Sequence, residues 1–371
     1  MMLPSHLTFK HFKALGPFNL GDSLNSVLQL LVNGTFVNEP CKISFNDESQ
    51  CTRFGSILPN IILDKSSVSI ELTSCGIILQ FDPEDQSLST IMWRPNIASM
   101  VCRNSWWLKY KFAFDNKHLW EDSESVDCKK VLSAFPPTTL GRYSEESLQY
   151  ELNFKQGLSF QFGIKDSKTL QILKERQEHP SDIGDIGPPL RMMSIWSREP
   201  PICRRNHIEV FPSEGVRLHF RDQRRLFLEL GAGIQGVLSS VGLPDSIYQG
   251  EIYNYYALGI DIKIPARGCR TISQIIIHTN LPGSPTFGRY DRAWFQVNEK
   301  HKKDRDGKGR SVHNLSKLPD IIAALGEPGS PLISEDPALG SRHIYSFPGG
   351  IAFEITQVGF IASIHLSNSN A

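Results

Sequence analysis

The sequence lacks most of the features that assign a protein quickly. It has no excess of charge: 39 basic residues balance 39 acidic ones in a chain of 371. No overall field draws it to nucleic acid or to an anionic membrane, and any such binding has to be local. It has no long hydrophobic run, since no stretch approaches the roughly 18 to 20 apolar residues that span a bilayer. The opening residues, MMLPSHLTFKHFKALG, have neither the basic start nor the apolar core of a secretory signal. The expectation is a soluble intracellular protein. Its seven cysteines are odd in number and scattered, without a CxxC pair, which argues against a disulfide frame or a zinc site and suits reduced thiols. Without a secretory signal, Asn33-Gly34-Thr35 and Asn314-Leu315-Ser316 read as chance matches to the glycosylation sequon.

Catalytic and metal motifs are missing too. HExxH is absent, and the eleven histidines form no ligand cluster. Asp304-Arg305-Asp306-Gly307 begins like a calcium loop, but the glutamate that an EF-hand needs at its twelfth position is replaced by Leu315. DGKGRS at 306–311 does not have the Walker spacing, GSPTFG is not GxGxxG, and the hydrolase GxSxG does not occur. No cofactor, metal or catalytic residue is expected from linear motifs.

What the chain does have is 40% hydrophobic residues, enough for a real core, and a recurring pattern. Leu24, Val27, Leu28 and Leu31 are spaced for one face of a helix. The same spacing returns at Cys128, Val131, Leu132 and Phe135, at Ile234, Val237, Leu238 and Val241, and at Leu318, Ile321, Ile322 and Leu325. Each run meets a stop: Asn33-Gly34, Pro136-Pro137, Gly242-Leu243-Pro244 and Gly326-Glu327-Pro328. Further along come a glycine and strict alternation, in GIILQF, GLSFQF, GIDIKI and GIAFEI, with a fifth copy, GVRLHF. This is the signature of a half-buried strand after a hairpin turn or bulge.

The pattern predicts an α+β fold of about four short-helix plus antiparallel β-meander units, packed into a composite array. The expected boundaries are 1–124 for the first unit with linking strands and 125–225 for the second with an irregular Pro/Gly-rich segment and an extra hairpin. The third is placed at 226–290, and the fourth at 291–371 with a basic loop. LRMMSIW, within 179–203, reads as one strand in a loop punctuated by proline and glycine.

Four groups of residues invite a functional reading. His278, in IIIHTN, has the chemistry of a general base at a strand end. The competing reading is that His278, Thr279 and Asn280 make local hydrogen bonds ending a strand ahead of Pro282-Gly283. The run EKHKKDRDGKGRS contains Lys302, Lys303, Lys308 and Arg310, and Arg221, Arg224 and Arg225 form a smaller basic group. These are either solvated loop or candidate contacts for phosphate or an acidic partner. Trp106 and Trp107 either pack internally or anchor a partner.

YNYYALGIDIKI with IIIHTNLPG, YSEESLQYELNFKQGLSFQF, and GGIAFEITQVGFIASIHL resemble the phagosome (phagophore) assembly factor 1 family, over about Gly16 to Leu366. On that resemblance Tyr253, Tyr255, Gly259, Asp261, His278, Thr279, Asn280, Pro282 and Gly283 are motif positions, read mainly as scaffold. The resemblance implies a non-enzymatic, cytoplasmic autophagy protein that forms a complex with a phosphoinositide-binding β-propeller protein of the breast carcinoma amplified sequence type. It implies recruitment to the phagophore assembly site, indirect association with phosphoinositide membranes, and links to the Golgi and vesicle traffic. No nucleic acid, transmembrane segment or cofactor is implied. The alternatives are a direct phosphoinositide-binding module and an enzyme assembled around His278.

Overall fold

A computed structural model describes residues 8–10, 14–33, 41–47, 50–53, 67–72, 76–94, 111–114, 117–121, 128–135, 141–154, 157–176, 190–196, 207–220, 222–282, 284–298, 311–336, 340–356 and 359–368. The chain divides into two compact units. One comprises Met1–Phe54, Ser67–Asp82 and Ser87–Ile202; the other comprises Gly55–Ser66, Pro83–Gln86 and Cys203–Ala371. Sheet dominates both, with few helices, so α+β describes the fold loosely. The four sheets are antiparallel apart from one parallel pair in each five-stranded sheet.

In the first unit β1 (Thr8–Lys10), β2 (Ala14–Leu15) and β3 (Phe18–Asn19) form a meander and are followed by α1 (Leu24–Asn33). Next come β4 (Cys41–Asp47), β5 (Gln50–Arg53), β6 (Ser67–Leu72), β7 (Ile77–Phe81) and β8 (Leu88–Trp93), then the hairpin β9 (Lys111–Phe114) and β10 (Lys117–Glu121). After α2 (Cys128–Ala134) the chain makes β11 (Arg142–Ser144), β12 (Gln149–Phe154), β13 (Leu158–Gly163), α3 (Ser167–Arg176) and β14 (Leu190–Trp196). The sheets run β10-β9-β1-β2-β3 and β11-β12-β13-β14-β8-β7-β6-β4-β5. LRMMSIW, expected as a strand within loop, is therefore the central strand β14, joining two meanders by pairing with β13 and β8.

In the second unit β15 (His207–Phe211), β16 (Gly215–His219) and β17 (Arg225–Glu229) are followed by α4 (Ile234–Val241). Then come β18 (Ser246–Tyr248), β19 (Ile252–Tyr255), β20 (Ile260–Lys263) and β21 (Gln274–His278), and the pair β22 (Trp294–Val297) and β23 (Val312–His313). After α5 (Leu318–Leu325) the last meander is β24 (Leu332–Asp336), β25 (Gly340–Phe347), β26 (Ile351–Ile355) and β27 (Ile361–Ser367). The sheets run β17-β16-β15-β22-β23 and β18-β19-β20-β21-β27-β26-β25-β24.

The pairings of the two units match in register. The first strand pairs in parallel with the strand after the first meander, β1 with β9 and β15 with β22. The two halves of each large sheet join through Ile91↔Ile195 in one and Ile275↔Leu366 in the other. Equivalent backbone bonds recur: Arg94 N–H donates to Gly76 O and His278 N–H to Gly259 O, both at 2.8 Å. Trp196 N–H to Gly157 O and Ser367 N–H to Gly350 O form a second such pair, again at 2.8 Å.

Alternation decides which face is buried. In β26 the side chains of Ile351, Phe353 and Ile355 are buried while Ala352 and Glu354 are half-buried on the other face. The second unit's core gathers Ile208, Val216, Ile260, Ile262, Ile275, Phe353 and Ile364 from both sheets, with Val237 of α4 and Ile321 of α5. Each such side chain taken from water contributes about 1.5–3 kcal/mol. α5 starts where Lys317 N–H donates to Asp320 Oδ2 at 2.9 Å, with Pro319 in the first turn, where no N–H is missed. No helix among the described residues is long and apolar enough to cross a membrane.

Candidate functional site

On β20 the residues that alternate with Ile260 and Ile262 point away from the core, yet Asp261 is only 6% exposed. It is covered by the chain that follows β21. The ring of Tyr290 stacks on the imidazole of His278, with centroids 3.9 Å apart and planes at 15°. This close approach needs Gly259. At φ +70 it occupies the left-handed region, and a Cβ there would stand 2.6 Å from the carbonyl oxygen of Asp291 and 2.9 Å from Cβ of Ala293.

Asp261 is the centre of a hydrogen-bond network. Its Oδ2 lies 2.9 Å from His278 Nε2. Its Oδ1 accepts from Tyr290 OH at 2.7 Å and from Asn254 Nδ2 at 2.7 Å. Burial pushes the Asp261 carboxyl up, but the hydrogen bond and charge of His278 and the bonds from Asn254 and Tyr290 outweigh it and hold it below the usual carboxylate value. An ionised carboxylate only accepts, so Nε2 of His278 is the donor in this bond. Burial, then the charge of Asp261, raise the Tyr290 phenol, which stays a neutral donor.

The network continues to the surface in one direction. Ser246 Oγ donates to Asn254 Oδ1 at 2.8 Å, so the 2.7 Å contact between Ser246 Oγ and Tyr256 OH has Tyr256 as donor. Arg289 Nη2 then donates to Tyr256 OH at 2.8 Å, its guanidinium lying 5.2 Å from the centre of the Tyr256 ring. Every donor from Arg289 inward points toward Asp261.

A second chain of bonds runs along the same face. Arg342 Nη1 donates to Glu354 Oε1 and Ser363 Oγ to Glu354 Oε2, both at 2.6 Å. His365 Nε2 is 2.9 Å from Ser363 Oγ. Burial lowers the pKa of His365, keeping it neutral, with Nε2–H donating to Ser363. Ser363 stands directly opposite His278 in the sheet, but its hydroxyl goes to Glu354. The residue types of a serine–histidine–acid triad are therefore present, but the histidine bonded to the serine is His365 and the one bonded to the acid is His278, so neither bridges the two.

The rest of the motif also holds chain to chain. Thr279 Oγ1 lies 2.7 Å from Ile361 O and 2.9 Å from Ala362 O. Asn280 and Gln86 exchange bonds: Gln86 Nε2 donates to Asn280 O at 2.9 Å and Asn280 Nδ2 to Gln86 Oε1 at 2.7 Å. Asn280 Oδ1 also accepts from Gly288 N–H at 2.7 Å. Tyr253, Tyr255 and Pro282 are buried, and burial pushes the Tyr255 phenol up to about 12. Asn314, in one of the two sequons, is 3% exposed and holds Phe295 N–H and Ala293 O.

Arg224 pairs with Asp222 and lies over the Phe220 ring, and Arg225 is exposed on β17. Lys302, Lys303, Lys308, Arg310, Arg221, Trp106, Trp107 and Gly283 lie outside the described residues. Among the described residues no group of three or more His, Cys, Asp or Glu is placed to hold a metal ion. Sequence reasoning missed Asn254, Tyr290, Glu354, Ser363 and His365. For the four on strands the available signal was polar residues at outward positions where the inward ones are apolar, whereas Tyr290 lies in the loop after β21.

Fold and cluster together define a sheet-rich protein of two units in which the conspicuous polar residues fasten loop to sheet. The chain belongs to the phagosome assembly factor 1 family, whose model matches residues 14–252 and 249–367, and so to proteins of phagosome assembly. No curated protein and no solved structure matches it.

Proposed function

We propose that the protein is a non-enzymatic adaptor of autophagy that joins a phosphoinositide-binding β-propeller protein in a complex recruited to the phagophore assembly site. Family membership across both units supports the setting. The observation that carries the adaptor reading is the state of His278. The best candidate for a general base is 7% exposed, stacked beneath Tyr290 and bonded to Asp261. Arg224, bonded to Asp222 and lying over Phe220, is already engaged, which makes it a weaker contact for a phosphoinositide.

The test is affinity purification of the tagged full chain from fed and starved cells, with partners identified by mass spectrometry. A stoichiometric β-propeller protein is the expected result. Intact, soluble bait recovered alone, together with binding of phosphoinositide vesicles by the purified chain, overturns the adaptor reading in favour of a lipid module.

A further inference from the structure

The matched registers of the two large sheets make the first unit an internal control for the second. β24 is the edge of the eight-stranded sheet and β11 the edge of the nine-stranded one. Leu332↔Ile344 in one sheet occupies the place of Arg142↔Glu151 in the other, and Ile333↔His343 that of Tyr143↔Tyr150. The assignment follows from the inner strands, where Ile344↔Glu354 and Glu151↔Gln161 correspond next to the same bulge.

The two edges differ in chemistry. β11 is three residues long and begins with an exposed arginine, a common way of blunting an edge. β24 has five residues and shows Leu332 at 69% and Ile333 at 61% exposure. Nothing in the scaffold requires this, because the same register position carries Arg142 in the first unit. An edge strand with an exposed apolar pair accepts another strand through its outward backbone groups, with side chains supplying selectivity.

We propose that β24 is an acceptor edge for an extended segment of a partner protein that adds antiparallel to it, bringing basic residues followed by apolar ones. The order comes from Leu332-Ile333-Ser334-Glu335-Asp336, in which an apolar half precedes an acidic half. An antiparallel second copy would set apolar against acidic positions, and a parallel copy would set acid against acid. The acids also oppose docking on an anionic lipid surface. The proposal stands independently of the propeller reading.

The test measures binding of a fluorescent capped peptide, Lys-Lys-Thr-Val-Val, to the full chain by anisotropy. A peptide with proline at the central position is the control. Binding is expected to the first and to fall at least about tenfold with proline. Leu332→Arg installs the residue that the first unit tolerates at this place, so it should fold normally and weaken binding by about tenfold or more. Ile247→Lys, at the opposite edge strand β18, should change it less than about twofold. Equal binding to Leu332→Arg, or to the proline peptide, overturns the proposal. So does self-association, or binding to phosphatidylserine vesicles, that Leu332→Arg abolishes.

Discussion

The carboxylate of Asp261 and the imidazole of His278 meet at 2.9 Å on the outward face of a sheet, beneath the ring of Tyr290. In the first unit the equivalent places are taken by Ile78, which pairs with Met92 as Asp261 pairs with Ile276, and by Arg94, which makes the same backbone bond to its glycine. The fold therefore forms without such a pair. In the second unit it fixes the chain after β21 onto the sheet.

Removing one partner should cost stability without destroying the fold. Tyr290→Phe deletes one bond to a charged acceptor while keeping the stacked ring, and should cost about 1.5–3 kcal/mol in urea unfolding. His278→Ala also removes the stacking surface and should cost more. An equal or smaller loss from His278→Ala would show that the ring contact with Tyr290 contributes nothing.

Acid should act through the same carboxylate. The folded pKa of Asp261 lies below its ordinary 3.8, so its contribution is complete above that value and is lost as pH falls through the lower folded one. His365 is also depressed, from 6.5, by burial, so its contribution is present above 6.5 and declines as pH falls toward its folded value. Stability measured against pH should therefore decline in two steps. Asp261→Asn should reduce the step at and below pH 3.8 and leave the earlier one, whereas His365→Gln should reduce only the step that begins near pH 6.5, to which His207, also lowered by burial, contributes.

Much of the scaffold was legible in the sequence. The helical spacing at Leu24, Cys128, Ile234 and Leu318 marks four of the five described α-helices, and the glycine-led alternations are strands. These signals are local, carried by residues within two or three turns or pleats of one another. β14 was read inside a loop because its neighbour β8 lies far away in the chain, and the parallel pairs β1–β9 and β15–β22 were hidden for the same reason. The site was legible only in part. Asp261, His278 and Asn280 stand out as polar residues in a motif, but Tyr290 and Gln86 reach them through loops whose composition carries no period.

Gln86 and Asn280 are 194 positions apart in sequence, and both have positive φ, 56° and 49°. Side chains other than glycine occupy that region at a cost, more so for glutamine than asparagine, and the reciprocal amide bonds offset it. Gln86→Ala and Asn280→Ala should therefore be strongly non-additive, with a coupling of about 1–2 kcal/mol in a double-mutant cycle. Additive losses would mean that each side chain acts through other contacts.

Two glycines separate backbone strain from close approach. Gly231 has φ +88 with nothing within 4 Å of an added Cβ, so Gly231→Ala should cost only the left-handed penalty, about 1–2 kcal/mol. Gly259 has a similar φ of +70, but its Cβ would press on the Asp291 carbonyl and on Ala293. Gly259→Ala adds displacement of the covering chain to that same penalty. It should be the more destabilising by about 1–3 kcal/mol and should speed amide exchange at Tyr290 and Asp291. Because the backbone penalty is common to both substitutions, equal losses would remove the argument that this glycine is needed to bring Tyr290 down onto His278.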